Sequence, residues 1–279
     1  MTMTPLIRHG YAACGLGQLH YLEGVPREPT SRRPLVLFHQ NPSTSEEYRF
    51  LVAAMAQDRR VVAFDTPGYG MSDPPAAPIS AADYAAIFCD GIAALGLADD
   101  GPVDLFGFHT GTLLAIEVGA RLGDRAGRLV LAGIPFRPVD ERQVRLDQIH
   151  AVALPTEDGA AIFERLRWLW NFVVTERHPD VPIERAAAIF AERAKPLHRY
   201  WWAYEGVWTY DIEVRLQAIA QPTLVLLPDE MLREQSLAAA ALIPGARTLE
   251  LPRLTRDIFE QINCAVIAKT LHDDLDRPD

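Results

Sequence analysis

One histidine lies between two glycines at the end of an apolar run, a placement suited to proton chemistry. The run Val103–Gly107 is followed by Phe108, His109, Thr110 and Gly111, where a helical pattern begins. Glycines at such a point relieve crowding where the chain reverses sharply, and they leave the central side chain exposed above a sheet. An imidazole in water has a pKa of about 6.5, so His109 is a candidate general acid or base. The alternative is that it fills the turn and donates one hydrogen bond.

The composition indicates a protein that binds small molecules rather than nucleic acid or membrane. The 279 residues are 49% apolar, enough for a large core. Their formal net charge is −10, whereas nucleic acid and anionic lipid attract clustered positive charge. We therefore expect a small-molecule substrate, no nucleic acid and no membrane partner. The sequence does not set the oligomeric state, and a homodimer is one expectation.

The cysteines and histidines argue against a disulfide framework or a metal centre. Cys14, Cys89 and Cys264 are odd in number, widely spaced and set in apolar surroundings, which favours buried thiols in a reducing compartment. There is no C-x-x-C zinc signature, and the histidines lack ligand spacing. No segment reaches the ~18 uninterrupted apolar residues that a membrane span needs. We predict a cytoplasmic protein that uses no cofactor and no metal.

Short β-type runs alternate with longer helical patterns along the chain. This order predicts an α/β fold, a mainly parallel sheet with helices on both faces, preceded by an N-terminal hairpin. Helical spacing covers roughly residues 45–57, 80–95, 110–122, 232–242 and 257–271. The predicted strands are Tyr11–Cys14, Gln18–Leu22, Pro34–His39, Arg60–Asp65, Val103–Gly107, Leu129–Gly133, Thr223–Leu227 and Arg247–Leu251.

The alternation breaks after the sixth strand, between Pro135 and Gln221. The segment is helical in pattern and contains all five tryptophans. We predict that residues 135–217 form a helical cap, or lid, inserted into a core made of residues 1–134 and 218–279. Trp168 and Trp201 are then candidates to line a substrate cavity. The alternative is that the tryptophans pack the small core of the insertion itself.

Several segments together resemble the α/β-hydrolase-fold family, over about residues 18–271. The strand that ends in His39 and Gln40 resembles the one whose His-Gly turn supplies an oxyanion-hole amide, with Gln40 where glycine usually stands. Residues 65–72 match the family's D-x-P-G-x-G-x-S segment, and residues 107–111 resemble its nucleophile elbow, G-x-S-x-G. The resemblance implies the α/β-hydrolase fold, with an eight-stranded, mostly parallel sheet, helices on both faces and a helical cap after strand six.

Each position of that family's catalytic triad holds a different residue type here. His109 stands at the serine, and Arg256 stands, within one or two residues, where the catalytic histidine follows the last strand. After the penultimate strand the orienting acid aligns with Met231, although Asp229 and Glu230 are adjacent. Histidine, methionine and arginine together cannot perform the Ser-His-Asp proton relay. Ordinary serine hydrolysis is therefore not expected.

The features that would build an oxyanion site remain in place. The backbone amides of Gln40 and Thr110 need no particular side chain, and Thr110 opens a helix whose N-terminal dipole favours negative charge. Arg256 would add a cation if it faces the pocket, although a surface ion pair is the alternative. His39 would either line the cavity beside Gln40 or cap the end of its strand.

Two classes of function follow. In the first, the protein is an enzyme that acts on a small, partly apolar substrate, aromatic or an anionic carbonyl compound. His109 would transfer the proton, the oxyanion hole would stabilise the developing charge, and no serine acyl-enzyme would form. Hydrolase, lyase, isomerase and decarboxylase chemistry all fit this description. In the second class, the protein is catalytically silent and binds a small molecule under its aromatic lid. A carboxylate within hydrogen-bond reach of His109 would favour the enzyme.

Overall fold

Eight strands form one twisted sheet in the computed structural model, which describes residues 4–150 and 157–277. All eight predicted strands are present, and the first is longer than predicted. The strands are β1 (Leu6–Cys14), β2 (Gly17–Val25), β3 (Leu35–Phe38), β4 (Val61–Phe64), β5 (Val103–Phe108), β6 (Ala126–Ala132), β7 (Thr223–Pro228) and β8 (Arg247–Leu251).

The order of the strands across the sheet is β1-β2-β4-β3-β5-β6-β7-β8. The hairpin β1-β2 is antiparallel, and β2 pairs antiparallel with β4, whereas the six strands from β4 to β8 pair in parallel. This is the predicted α/β-hydrolase fold. Because parallel strands end at the same edge, the segments after β5, β6, β7 and β8 are brought together there.

Ten α-helices connect or cover these strands within the described residues. They are α1 (Arg49–Met55), α2 (Ala81–Ala94), α3 (Thr110–Leu122), α4 (Val139–His150), α5 (Ala160–Trp170), α6 (Ile183–Ala194), α7 (Trp202–Trp208), α8 (Ile212–Gln217), α9 (Arg233–Ala240) and α10 (Gln261–Leu275). The predicted helix at 257–271 begins only at Gln261, because Asp257 adopts a positive φ of 48° that interrupts a helical path.

Both faces of the sheet are buried. Helices α2, α3 and α9 contribute to the apolar cluster on one face, and α1 and α10 contribute to the cluster on the other. The central strands are accordingly apolar at nearly every position instead of alternating, as strands covered on two sides must be. A capping box opens α2, with Ser80 and Asp83 bonding reciprocally.

Helices α4 to α8 lie between β6 and β7, and we refer to them as the inserted helices. One π-helical turn, Asn171–Thr175, follows α5 directly. Leu169, Val173 and Val174 belong to a third, smaller apolar cluster confined to this region. Within the described residues, no helix combines the length and apolarity required to cross a membrane.

Candidate active site

His109 occupies a sharp turn between β5 and α3 and has an unusual backbone conformation. Its φ is 50° and its ψ is −119°, a region that non-glycine residues rarely adopt. A β-carbon on Gly107 would overlap the backbone of Gly111, and one on Gly111 would overlap the Phe38 carbonyl. The two glycines are therefore required by close backbone approach. The turn presents the His109 side chain at the carboxyl edge of the sheet.

A carboxylate lies within hydrogen-bond distance of the His109 imidazole. The Nε2 atom of His109 is 3.0 Å from Oε2 of Glu230, which follows β7. Only 18% of the histidine side chain and 10% of the glutamate side chain are exposed. Because an ionised carboxylate only accepts hydrogen bonds, this contact favours the tautomer with the proton on Nε2 and the lone pair on Nδ1. No hydrogen bond among the described residues uses Nδ1, so this atom is left to act on a ligand.

Of the three acid-position candidates that the sequence left open, one contacts His109 in the structure. Glu230 bonds to His109, whereas Asp229 is exposed and the Met231 side chain is 67% exposed. The selection follows from strand order, since β7 is two strands from β5 and β6 lies between them. Gly133, at the end of β6, leaves the space through which the imidazole reaches the glutamate.

A cavity of about 590 Å³ opens beside this pair, within the usual size of small-molecule sites. Phe108, Phe172 and Phe259 supply aromatic surface, while the π-helical turn and α6 supply the opposite wall. The cavity is therefore bounded by both the sheet edge and the inserted helices.

Trp168 and Trp201, predicted to line the cavity, are not among the described residues that surround it. Trp168 is half exposed and stacks on Phe172 at 5.3 Å between ring centroids, while Trp201 packs edge-on against His150. The aromatic lining comes from phenylalanines instead.

The Gln40 amide, predicted to bind an oxyanion, is already engaged by a carboxylate. Its N–H donates to Oε2 of Glu47 at 3.4 Å, and its side-chain Nε2 donates to Oε1 of the same residue. Arg193, on α6, holds that carboxylate at 3.1 Å. In this structure the Gln40 amide therefore faces Glu47, and its oxyanion role stays a prediction. Thr110, the other predicted donor, is buried and lines a separate small pocket of about 10 Å³.

His39 lies below the cavity and serves the loops around it. It is fully buried, Nδ1 donates to the Gln40 carbonyl at 2.6 Å, and Nε2 accepts from the Thr66 amide at 2.9 Å. Burial lowers the pKa of His39, although the nearby carboxylate of Asp65 acts in the opposite direction. Of the two alternatives from the sequence, His39 thus stabilises the strand end and does not line the cavity.

Arg256 touches the cavity, but its guanidinium is used to hold the inserted helices. It donates to the Phe172 carbonyl and to Glu176 Oε2 at 3.1 Å, and its Cζ atom lies 4.8 Å from the centroid of the Phe172 ring. These contacts satisfy the carbonyl of a π-helical turn. The arginine therefore acts as a tether between the segment after β8 and the insertion, which is the ion-pairing alternative.

Several residues of the site carried no signal in the sequence. Arg185 forms two-pronged hydrogen bonds with Glu260 and also donates to the Glu46 carbonyl, so that α6 is tied to the core at two points together with the Arg193–Glu47 pair. Charged residues on an amphipathic helix normally face solvent. Only the position of α6 against the sheet edge converts them into buried pairs.

Comparisons with known proteins agree with this architecture. Residues 33–252 match the sequence profile described as the alpha/beta hydrolase fold. The chain belongs to that family. A haloalkane dehalogenase from Mycolicibacterium paratuberculosis is 33% identical over 132 residues, which span 45% of this chain and 40% of that protein, so the chain matches less than half of its relative's length.

Solved structures of this family superpose over almost the whole chain. An enol-lactonase from Burkholderia xenovorans LB400 has a TM-score of 0.75 at 20% identity, covering 96% of this chain and 100% of the other. A hydrolase from Pseudomonas aeruginosa PA01 has a TM-score of 0.76 at 22% identity, covering 97% and 99% respectively. At such low identity, these likenesses establish the fold alone.

Proposed function

We propose that this alpha/beta hydrolase-fold protein is an enzyme whose His109 acts as a general acid and base, without a serine acyl-enzyme. The observation that carries the proposal is the 3.0 Å contact between His109 Nε2 and Glu230 Oε2 beside a cavity of about 590 Å³. A carboxylate in this position holds the imidazole in one tautomer and stabilises the imidazolium that forms when the ring takes a proton.

In the proposed step, His109 Nδ1 accepts a proton from a water molecule or from an acidic C–H of the substrate. The resulting imidazolium pairs with the Glu230 carboxylate through Nε2–H, and the proton is later returned from Nδ1 to the product. Water activation would give hydrolysis by direct attack. Proton abstraction from carbon would give lyase or isomerase chemistry.

The substrate in this proposal is a small, partly apolar molecule. Phe108, Phe172 and Phe259 supply apolar surface, and about 590 Å³ is enough for a drug-sized ligand. We infer that residues 135–217 act as the cap of the site, since the π-helical turn and α6 form one wall of the cavity. The oxyanion contribution of Gln40 is not part of the proposal, because Glu47 takes that donor.

A catalytically silent binding protein is the second candidate, and one specific observation favours it. The amide that would stabilise an oxyanion donates to Glu47, and the residue after β8 at the histidine position is a structural arginine. A protein that had lost acyl-transfer chemistry would tolerate both changes. The His109–Glu230 pair has no evident purpose under that alternative.

Turnover of three substrate types tests the proposal. The relatives named above are a dehalogenase and an enol-lactonase, so we would assay bromide release from 1-bromohexane, ring opening of dihydrocoumarin, and hydrolysis of p-nitrophenyl acetate. His109→Ala is expected to lower the active rate by about 100-fold or more, the usual contribution of a general base. His198→Ala, at an exposed position outside the cavity, is the matched control.

A single turnover of 1-bromohexane in ¹⁸O-labelled water separates direct attack by water from an alkyl-ester intermediate. Direct attack places the label in the first equivalent of product, whereas an ester on an enzyme carboxylate would release unlabelled oxygen. An unlabelled first product, or a His109→Ala variant of undiminished rate, would refute the mechanism. If none of the three substrates is turned over but a ligand still raises the melting temperature, the catalytically silent binding protein is favoured.

We also propose a reducing, cytoplasmic location. Cys14, Cys89 and Cys264 are all free, and Cys264 is buried. Burial raises the pKa of Cys89 and of Cys264 to about 11, which keeps both thiols protonated and unreactive near neutral pH. Fractionation of the source cells would test the location.

A further inference from the structure

The charge of the cavity wall is predominantly negative. Seven carboxylate side chains line the cavity, against four guanidinium groups and the imidazole of His109. A site for an anion would normally offer cationic or N–H donors that are free to turn toward the ligand. Whether each of these donors is free or already bonded therefore decides which ligands the cavity accepts.

The two guanidiniums of α6 are already neutralised by carboxylates. Arg185 is bonded to both oxygens of Glu260 at 2.9 to 3.2 Å, with its side chain 14% exposed. Arg193 is bonded to Glu47 at 3.1 Å, with its side chain 13% exposed. Breaking either pair to bind an anion would leave a buried carboxylate without its partner, which is strongly unfavourable in proteins.

The two remaining guanidiniums are also engaged. Arg256 is bonded to Glu176 and to the Phe172 carbonyl, and Arg49 lies 3.4 Å from Glu46 near the surface. No guanidinium on the cavity wall is therefore free of a carboxylate partner within the part of the chain that the structure describes.

Glu47 engages the nitrogen donors of Gln40 as well as Arg193. Its two oxygens take the Gln40 amide, the Gln40 side-chain nitrogen and Arg193 together, with only 9% of the side chain exposed. The carboxylate of Glu47 thus stands where the carboxylate or oxyanion of a ligand would otherwise bind. The protein's own carboxylate therefore takes the place of a bound anion.

Other carboxylates keep the capacity to accept. Glu230 uses Oε2 for His109, while its buried Oε1 accepts no hydrogen bond from the described residues. Asp229 is exposed beside it at the cavity wall and forms no ion pair among the described residues. Phe108 and Phe259 add aromatic surface, on which cations are also favourably placed.

We propose that the cavity selects a substrate with an organic ammonium group on an apolar body, and that Glu47 imposes this selection by occupying the donors that an anion would need. The inference rests on the proposed function, because it names the substrate class of the same site. An entering anion would lose its hydration and meet only guanidiniums that carboxylates already neutralise, whereas an ammonium group would meet Asp229 and the unused oxygen of Glu230.

Binding of three ligands with one carbon skeleton tests the selection. Titration calorimetry at pH 7 and low salt would compare 4-phenylbutylamine, 4-phenylbutan-1-ol and 4-phenylbutanoate. The amine is expected to bind at least about tenfold more tightly than the carboxylate. Equal or tighter binding of the carboxylate, or no binding of the amine, would overturn the proposal.

Two variants test the roles of Glu47 and Asp229 in this selection. Glu47→Gln keeps a carbonyl oxygen for Gln40 but leaves the charge of Arg193 unopposed, so the ratio of amine to carboxylate affinity should fall by about tenfold or more. Asp229→Asn, at an exposed position, should weaken binding of the amine several-fold and leave binding of the alcohol unchanged. Glu213→Gln, exposed on α8 and outside the cavity, is the matched control.

An unchanged ratio in Glu47→Gln would show that Glu47 does not set the selection. The charge selection and the proposed enzymatic function can be contradicted separately. A charge preference without turnover would refute the enzyme and retain the selection, whereas turnover of uncharged and anionic substrates without preference would do the reverse.

Discussion

The α-carbon of Gly133 faces the imidazole of His109 so closely that a β-carbon at residue 133 would occupy the space of the ring. Such an atom would overlap Cδ2 of His109 and would also lie 3.2 Å from Oε1 of Glu230. Gly133 has a φ of 69°, so the backbone and the contact both favour glycine. Gly133, after β6, thus leaves the space in which His109, after β5, and Glu230, after β7, form their hydrogen bond.

Gly133→Ala should therefore impair the site beyond its effect on folding. We expect the alanine to displace the imidazole from Glu230 and to lower the His109-dependent rate at least about tenfold, since a misplacement of about 1 Å at a catalytic group has effects of this order or larger. Gly245→Ala is the matched control, with a φ of 66° and open space around its α-carbon. Both variants should lose about 1–2 kcal/mol of stability through backbone strain. Equal rates in the two variants would contradict the positioning role.

His109→Ser should not create a serine hydrolase. The variant restores the sequence G-x-S-x-G, but among the described residues that line the cavity there is then no histidine to activate the hydroxyl. Labelling by a fluorophosphonate probe, followed by mass spectrometry, should remain at the level of the His109→Ala variant. Rapid stoichiometric labelling would mean that a base approaches this position from elsewhere.

Arg256→Ala should affect stability more than catalysis. Loss of the bonds to Glu176 and to the Phe172 carbonyl, and of the contact with the Phe172 ring, should reduce the unfolding free energy by about 1–3 kcal/mol. The catalytic rate should stay within about tenfold of the parent, because the guanidinium is not free to bind substrate. Arg253→Ala, an exposed neighbour, should change neither quantity. Calorimetry and kcat together check the prediction, and a rate loss of about 1000-fold without destabilisation would restore Arg256 to a catalytic role.

His39 should make the protein less stable as the pH falls from 7 to 5. Burial lowers its pKa in the folded state, so in the unfolded chain it takes up a proton below about pH 6.5 while the native state still excludes it. Unfolding is therefore favoured as the pH falls through that range, and protonation would also break the bond from the Thr66 amide. Urea denaturation at several pH values should show a flatter slope for His39→Gln than for the parent.

Asp65 accounts for a second loss of stability at lower pH, distinct from the effect of His39 between pH 7 and 5. Burial alone would raise its pKa, but the hydrogen bond from His20 and the neighbouring imidazoles hold it below its usual value. Its contribution is present above about pH 3.9 and is lost as the pH falls below this value. The His39→Gln variant should therefore keep the loss of stability below about pH 4. An unchanged slope between pH 7 and 5 in this variant would contradict the role given to His39.

Local patterns determined the scaffold of this protein. Continuous apolar runs marked strands buried on both faces, and the alternation of these runs with helical periods marked a parallel sheet. The glycines at 107 and 111 predicted the sharp turn that presents His109, because the space for a β-carbon is a local property of the chain. The start of α10 was placed too early, since the positive φ of Asp257 depends on its contacts with the inserted helices, including the bond that its carboxylate accepts from the His178 amide.

The partners of the site depended on contacts between residues far apart in sequence. Glu230 could not be distinguished from Asp229 or Met231 by spacing, because a shift of one residue changes which side chain meets a ring 121 positions away. The occupation of Gln40 by Glu47, and the use of Arg256 as a tether, depend on where α6 and the π-helical turn lie against the sheet edge. The sequence by itself determined that an imidazole replaces a hydroxyl at the turn. The tertiary structure decided which carboxylate meets it and which donors remain free, because charge pairing in a cavity depends on distance in space and leaves no period in the chain.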